Sequence, residues 1–180
     1  TETNTPVFTA TATPLPEEIS DSKGITMRLV PAGTFTMGED SGIHEVYLDA
    51  YYMDIYEVTN AAYKSCVDDG DCEPPKGAYY TDPTLADHPV VWVAWGQASL
   101  YCEWRGARLP TEAEWEKAAS WDAETQTKFV YPWGNTVDCL HANYDGGCSV
   151  NGATEVGKYE NGQGPYGLFD MAGNVWEWTS

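Results

Sequence analysis

Basic side chains are scarce in this 180-residue sequence: nine lysines and arginines stand against 28 aspartates and glutamates, a formal net charge of −19. So negative a field repels phosphate backbones and anionic bilayers, which argues against nucleic-acid binding and peripheral membrane attachment. Long apolar runs are missing too; none approaches the roughly 20 residues that a membrane-spanning helix needs. Histidine is rare. His44, His88 and His141 are scattered, with no His-x-x-x-His or His-x-Glu pattern, so zinc and haem find little support. Ser65, Ser99 and Ser149 lack the strained strand-to-helix setting of a serine nucleophile. Asp68-Asp69-Gly70-Asp71 is acidic, but without the spacing and terminal glutamate of an EF-hand it reads as a hydrated turn. What is abundant is aromatic. Eight tryptophans and twelve tyrosines exclude wholesale disorder, and the length suits one domain with a real core. Trp92, Trp95, Trp104, Trp115, Trp133, Trp176 and Trp178 are candidates for a sugar-binding cleft, although in so loop-rich a chain most such rings anchor core and loops.

There are five cysteines. Cys66 and Cys72 bracket a tight acidic turn, and Cys139 and Cys148 bracket a loop containing Gly and Asn. Neither pair has Cys-x-x-Cys metal spacing. Of the three connectivities that four cysteines allow, the loop contexts favour 66–72 and 139–148, as in secreted proteins; buried free thiols in a cytosolic protein are the alternative. Cys102 is left over. An extracellular, secreted or cell-surface chain is therefore expected, written here in its mature form since no signal peptide precedes Thr1.

Residues 1–22 differ from the rest. Thr1, Thr3, Thr5, Thr9, Thr11 and Thr13 alternate along the chain, which then runs into Pro14-Leu15-Pro16. Composition suggests a solvated Thr/Pro-rich spacer with these threonines as O-glycosylation acceptors. The period of two also makes the segment strand-competent, hence an extended arm able to lie on its own surface or a neighbour's. The folded part is expected over 23–180. Short strands are expected at 27–30 and 34–37, separated by Pro31-Ala32-Gly33, with a longer one over 44–55. Thr59 can cap a helix carrying Ala62, Tyr63, Cys66 and Val67 at three-four spacing. A second helix is expected over 97–105 and a third over 110–119, where Thr111 and Glu114 form a capping-box pair. From Phe129 onward the chain is loop-rich.

Five blocks in register then resemble the formylglycine-generating enzyme, or sulfatase-modifying-factor, domain family. They are Leu29-Val30-Pro31-Ala32-Gly33-Thr34-Phe35-Thr36-Met37-Gly38, Tyr56-Glu57-Val58-Thr59-Asn60, Arg108-Leu109-Pro110-Thr111-Glu112-Ala113-Glu114-Trp115-Glu116, Tyr131-Pro132-Trp133-Gly134-Asn135, and Tyr166-Gly167-Leu168-Phe169-Asp170-Met171-Ala172-Gly173-Asn174-Val175-Trp176-Glu177-Trp178. The resemblance implies an α+β fold of C-type-lectin-like type: two or three helices, small antiparallel sheets and much irregular backbone. In active relatives a closing segment beyond the Trp-Glu-Trp block carries two copper-binding cysteines, and Cys102 resembles a cysteine that bonds to that segment. Neither the pair nor the partner is among these residues, so no catalytic residue is assigned.

The resemblance further implies one calcium ion, held by the side chains of Asp170 and Glu177 and the backbone carbonyls of Gly173 and Val175. Calcium takes six to eight hard oxygen donors in irregular geometry, which suits such a set. A second calcium would use Asn143 and Tyr144, with Asp145 standing in for an acid that the family places where Cys148 falls. The leading expectation is a secreted, noncatalytic, calcium-stabilised module that associates through its amino-terminal arm by strand addition into filaments. The alternatives are a portion of a longer copper-dependent oxidase and a lectin-like ligand-binding module, with a glycan among the candidate partners.

Overall fold

The computed structural model describes residues 14–148, 150 and 152–180. Strands β1 (Glu18–Ser20), β2 (Thr26–Val30) and β5 (Tyr51–Asp54) form an antiparallel sheet in the order β1-β2-β5. A hairpin of β3 (Gly33–Met37) and β4 (His44–Leu48) follows the Pro31-Ala32 turn, with Phe35 opposite Val46 and fully buried. The single strand expected over 44–55 is thus two. The chain leaves the hairpin at Asp49-Ala50 and crosses to β2, where Leu29 faces Tyr52. One β-rich stretch can serve two sheets because its pairing partners, β3 and β2, precede it on either side of one turn. The sheet also begins before Lys23: β1 lies inside the segment read as arm, with Ile19 opposite Met27. The alternating threonines of 1–13 lie outside the described residues.

Three helices follow, α1 (Asn60–Asp69), α2 (Trp95–Trp104) and α3 (Glu112–Ser120). Thr59 caps α1 by accepting from the Ala62 amide at 3.2 Å, and Gly70 ends it in a left-handed conformation at φ 87°. The capping box of α3 forms as its sequence requires. Thr111 Oγ1 accepts from the Glu114 amide at 3.2 Å, and the Glu114 carboxylate accepts from the Thr111 amide at 2.8 Å. A short hairpin, β6 (Trp121–Asp122) with β7 (Thr127–Lys128), ends the regular part. After it, the described residues contain one 3₁₀ turn (Glu160–Gly162) and otherwise irregular backbone.

Two apolar clusters hold these elements. Tyr63, Cys66, Tyr101 and Leu109 lie between α1 and α2, and Val30, Ala118, Ala119, Leu168 and Met171 join α3 to β2 and the C-terminal loops. The disulfides are Cys66–Cys72 and Cys139–Cys148, and Cys102 is a buried free thiol. Lys117, 1% exposed, donates to the carbonyls of Pro31 at 2.6 Å and Gly33 at 3.1 Å, pinning α3 to the turn between β2 and β3. Burial pushes its pKa below the usual lysine range. Lys117→Met keeps the apolar stem but strands two carbonyl oxygens. It should cost about 2 kcal/mol in chemical denaturation, as expected for buried acceptors that lose a charged donor; an unchanged midpoint would show that the pin contributes nothing.

Candidate functional site

The irregular segment 170–178 folds back beside β5, the end of α2 and the start of α3, enclosing a cavity of about 420 Å³. Its backbone takes forms that few residues accept. Asp170 and Asn174 both sit at φ 56° and Gly173 at φ 95°. A Cβ on Gly173 would lie 2.5 Å from the Asn143 carbonyl oxygen, so only glycine allows this approach.

Asn174 is the centre of the arrangement. Its amide N–H donates to the Asn143 carbonyl at 2.8 Å, and its side-chain oxygen accepts from the Thr154 amide at 2.8 Å. Its side-chain nitrogen donates to Glu57 Oε2 at 2.6 Å. The other Glu57 oxygen accepts from the Val175 amide at 3.3 Å. Glu57 lies between the end of β5 and Thr59, the cap of α1, so one carboxylate ties the C-terminal loop to the sheet–helix junction. Both residues stood inside motifs of the sequence without an assigned role. A glutamate between a strand and a helix cap, and an asparagine after glycine in an irregular run, were the available signals.

The residues expected to hold the first calcium come together in part. Asp170 is buried and accepts from the Gly157 amide at 2.6 Å. Glu177 is exposed as a residue, but its carboxylate lines the cavity and accepts from Trp115 Nε1 at 2.9 Å. The carbonyls of Gly173 and Val175 accept no hydrogen bond from the described residues. Among the described residues no three His, Cys, Asp or Glu side chains converge as a metal-holding group. A calcium ion held here would have two carboxylates, with backbone oxygens and water, to bind it. In the second set, Asn143 also ties loops together. Asn143 Oδ1 accepts from the Val150 amide at 3.2 Å, its Nδ2 donates to the Gly152 carbonyl at 2.9 Å, and its own carbonyl receives Asn174. Tyr144 is half-buried and Asp145 exposed. Asn143 is thus a tie between loops, because its side-chain amide meets Val150, Gly152 and Asn174.

The electrostatics of the cavity are one-sided. Arg105 and Arg108 line it, but each is already held: Arg105 by Asp21 and Asp54, and Arg108 by the carboxylate of Glu114. Glu57, Asp170 and Glu177 have no ion-pair partner among the described residues. Burial, then the charges of Asp170 and Glu177, pushes the Glu57 pKa up to about 9. Burial foremost, with the Asp170 and Asp54 charges, raises Glu177 to about 7. Burial also raises Asp170. Cys102 lines the same cavity, and burial pushes its thiol pKa up, which keeps it protonated and unreactive.

The matching family model, the sulfatase-modifying factor enzyme 1-like domain, covers residues 13–180. The chain is 37% identical to serine/threonine-protein kinase pkn1 of Chlamydia caviae over 175 residues, 84% of this chain and 27% of that protein. It is 32% identical to the formylglycine-generating enzyme of Bos taurus over 215 aligned positions, 84% of this chain and 56% of the enzyme. The chain thus spans about half or less of these curated relatives. Among solved structures, Treponema denticola variable protein 1 superposes with a TM-score of 0.71 at 25% identity, covering 92% of this chain and 77% of that one.

Two predictions follow from the site itself. Gly173→Ala should destabilise the fold by several kcal/mol, since it adds both a 2.5 Å clash and backbone strain; a wild-type melting temperature would contradict the close approach. The second concerns pH in the presence of a chelator. Glu57 and Glu177 hold their protons more tightly folded than unfolded, so their contribution to stability is complete below about pH 4.5 and is lost as pH rises through about 7 and then about 9. The melting temperature in chelator should fall across that window, and Glu57→Gln should flatten its upper part. A rise over the same range would refute the assignment.

Proposed function

The chain belongs to the sulfatase-modifying factor enzyme 1-like family, and from that premise we propose that these residues form a noncatalytic, calcium-stabilised binding module of the formylglycine-generating-enzyme type. One observation carries the calcium reading: the 170–177 loop holds two carboxylates without a cationic partner and two carbonyls that accept nothing from the described residues. Hard oxygen donors on irregular backbone suit calcium better than any softer ion. Asp170, Gly173, Val175 and Glu177 would hold it. The ion would supply the positive charge that this end of the molecule otherwise lacks.

Cysteine chemistry supports the noncatalytic half. A copper(I) centre needs two thiolates held close together. Four of the five cysteines are joined as disulfides, and the fifth is buried alone. Outside the two short disulfide loops these residues offer no candidate thiolate pair. The second reading, favoured by the likeness to the bovine formylglycine-generating enzyme, makes them part of a longer oxidase. Intact mass and copper content of the natural gene product separate the two.

The proposal also sets the chain outside the cell, where short-loop disulfides persist, and has it associate through the amino-terminal arm. β1 is an edge strand to which another strand can add. Removal of residues 1–13 should abolish any concentration-dependent assembly seen by sedimentation. A full-length chain that stays monomeric at every concentration refutes the self-association.

Calcium should raise the melting temperature of the chelated protein, and Asp170→Ala or Glu177→Ala should each remove most of that rise. Coincident melting curves with and without calcium eliminate the site.

A further inference from the structure

The segment that carries Asn143 is held by means other than a core. Of residues 139–148, only Ala142 and Asn143 are buried, and none lies in a helix, a strand or either apolar cluster. Its seat is backbone against backbone. A Cβ on Gly162 would lie 2.2 Å from the His141 carbonyl oxygen, just as one on Gly173 would lie 2.5 Å from that of Asn143. Two glycines thus let the loop press on two other segments. At its near end His141 stacks on Trp133, with ring centroids 5.1 Å apart, and its Nδ1 meets Asp138 Oδ1 at 2.7 Å. Its far end has little to hold it. Among the described residues, 144–148 make one weak contact, between the Gly147 carbonyl and Cys139 Sγ at 3.9 Å. The covalent bond from Cys148 to Cys139 is what closes the loop there.

The two bridges differ in access. Cys66 is 0% exposed and Cys72 7%, inside the cluster that holds Tyr63 and Tyr101. Cys139 is an exposed residue and Cys148 is half-buried. Thiol–disulfide exchange requires a thiolate to reach a sulfur of the bridge, so access decides which bond opens first. Exposed bridges are the labile and regulatory kind, whereas buried ones persist.

We propose that Cys139–Cys148 is a redox latch on the 170–177 loop, opened by an external dithiol while Cys66–Cys72 stays closed. A thiolate of the dithiol attacks one sulfur of the bridge, forms a mixed disulfide and releases the other cysteine as a thiolate. The second thiol of the reductant then closes on its own mixed-disulfide sulfur and expels the first cysteine. Two electrons pass to the protein, the two cysteines end as thiols, and the reductant leaves as a cyclic disulfide. Opening frees the far end of the loop and loosens Asn143. Its carbonyl holds the Asn174 N–H at 2.8 Å, and its side chain ties Val150 and Gly152. Asn174 keeps Glu57 and Thr154, so the change is a local opening and not an unfolding of the two clusters. Neither the latch nor its readout requires a bound ion.

The test uses the full chain in chelator, so that calcium cannot mask the result. Dithiothreitol is the probe, with alkylation and peptide mass mapping to follow each cysteine. Cys139 and Cys148 should be labelled at a dithiothreitol concentration about tenfold below that which labels Cys66 and Cys72. With that bridge open, the Asn174 amide should exchange its hydrogen at least about tenfold faster by NMR, while amides of α1 and α3 keep their rates. The double variant Cys139→Ser with Cys148→Ser should show the same fast Asn174 exchange without reductant. Partial reduction of the unaltered chain gives the same readout should that variant fail to fold. Three outcomes each overturn the proposal: prior or simultaneous opening of Cys66–Cys72, an Asn174 rate unchanged with the bridge open, or an equal acceleration in α1 and α3. Because every arm is run without calcium, its failure is separate from that of the ion site.

Discussion

The Glu57–Asn174 contact is the constraint on which the C-terminal third depends. That third has almost no regular backbone to pair with itself, so its polar groups must find partners one by one. Asn174 satisfies three segments at once: the loop at Asn143, the turn at Thr154, and Glu57 at the junction of β5 and α1. The arrangement demands left-handed backbone at 170, 173 and 174, and glycine where the chain passes Asn143. Without the Glu57 carboxylate, no group at that junction would receive both the Asn174 amide and the Val175 N–H.

Scarcity of positive charge shapes the rest. Of nine basic residues, Arg105 and Lys117 are buried, Arg105 between two carboxylates and Lys117 on two carbonyls. Lys128 closes the same region from outside, on the Gly38 carbonyl and Glu116. These cations hold the sheet, the hairpin and α3 in place. None of these three pairs with Glu57, Asp170 or Glu177, whose pKa values rise chiefly through burial. An acidic chain can tolerate such a cluster only if the carboxyls stay protonated or something from solution neutralises or hydrogen-bonds them. The electrostatic character of the cavity therefore comes from buried carboxyls that no arginine or lysine pairs with among the described residues.

Much of the frame was legible in the residues. Local chemistry fixed α1 through Thr59, α3 through Thr111 and Glu114, and the two short disulfide loops through their bracketing cysteines. Those features involve neighbours within about a dozen positions, where spacing is informative. Five motif blocks in register were enough to imply the fold and the family. Contacts over long separations were not legible. That 44–55 divides between two sheets depends on which strand each half meets, and that Glu18–Ser20 joins β2 depends on register across a turn. Glu57 to Asn174 spans 117 positions. Nothing in either residue's neighbourhood announces the other, so the hub of the site stayed hidden while the loop that it holds was recognised. Asn143 is a residue type suited to calcium, and the folded chain also uses its side chain to tie its own loops.

The two disulfides differ in what they secure. Cys66–Cys72 closes the acidic turn after α1, a region that the tyrosine-rich core already grips through Tyr63 and Tyr101. Cys139–Cys148 closes the loop that carries Asn143, and that loop has no helix or strand to hold it. Each bridge removes unfolded-chain entropy worth about 2–3 kcal/mol on the chain-entropy model. For α1 that gain adds to an element which packing already defines. For the 139–148 loop it bears on the site directly, since Asn143 receives Asn174 and Asn174 meets Glu57. An oxidising environment thus acts on the cavity through three contacts in series, although neither cysteine of the bridge lines it. The same series ties down the least regular part of the backbone, which carries Asp170 and Glu177. Covalent closure, one asparagine and one half-buried glutamate take the place that regular strands fill elsewhere in the fold.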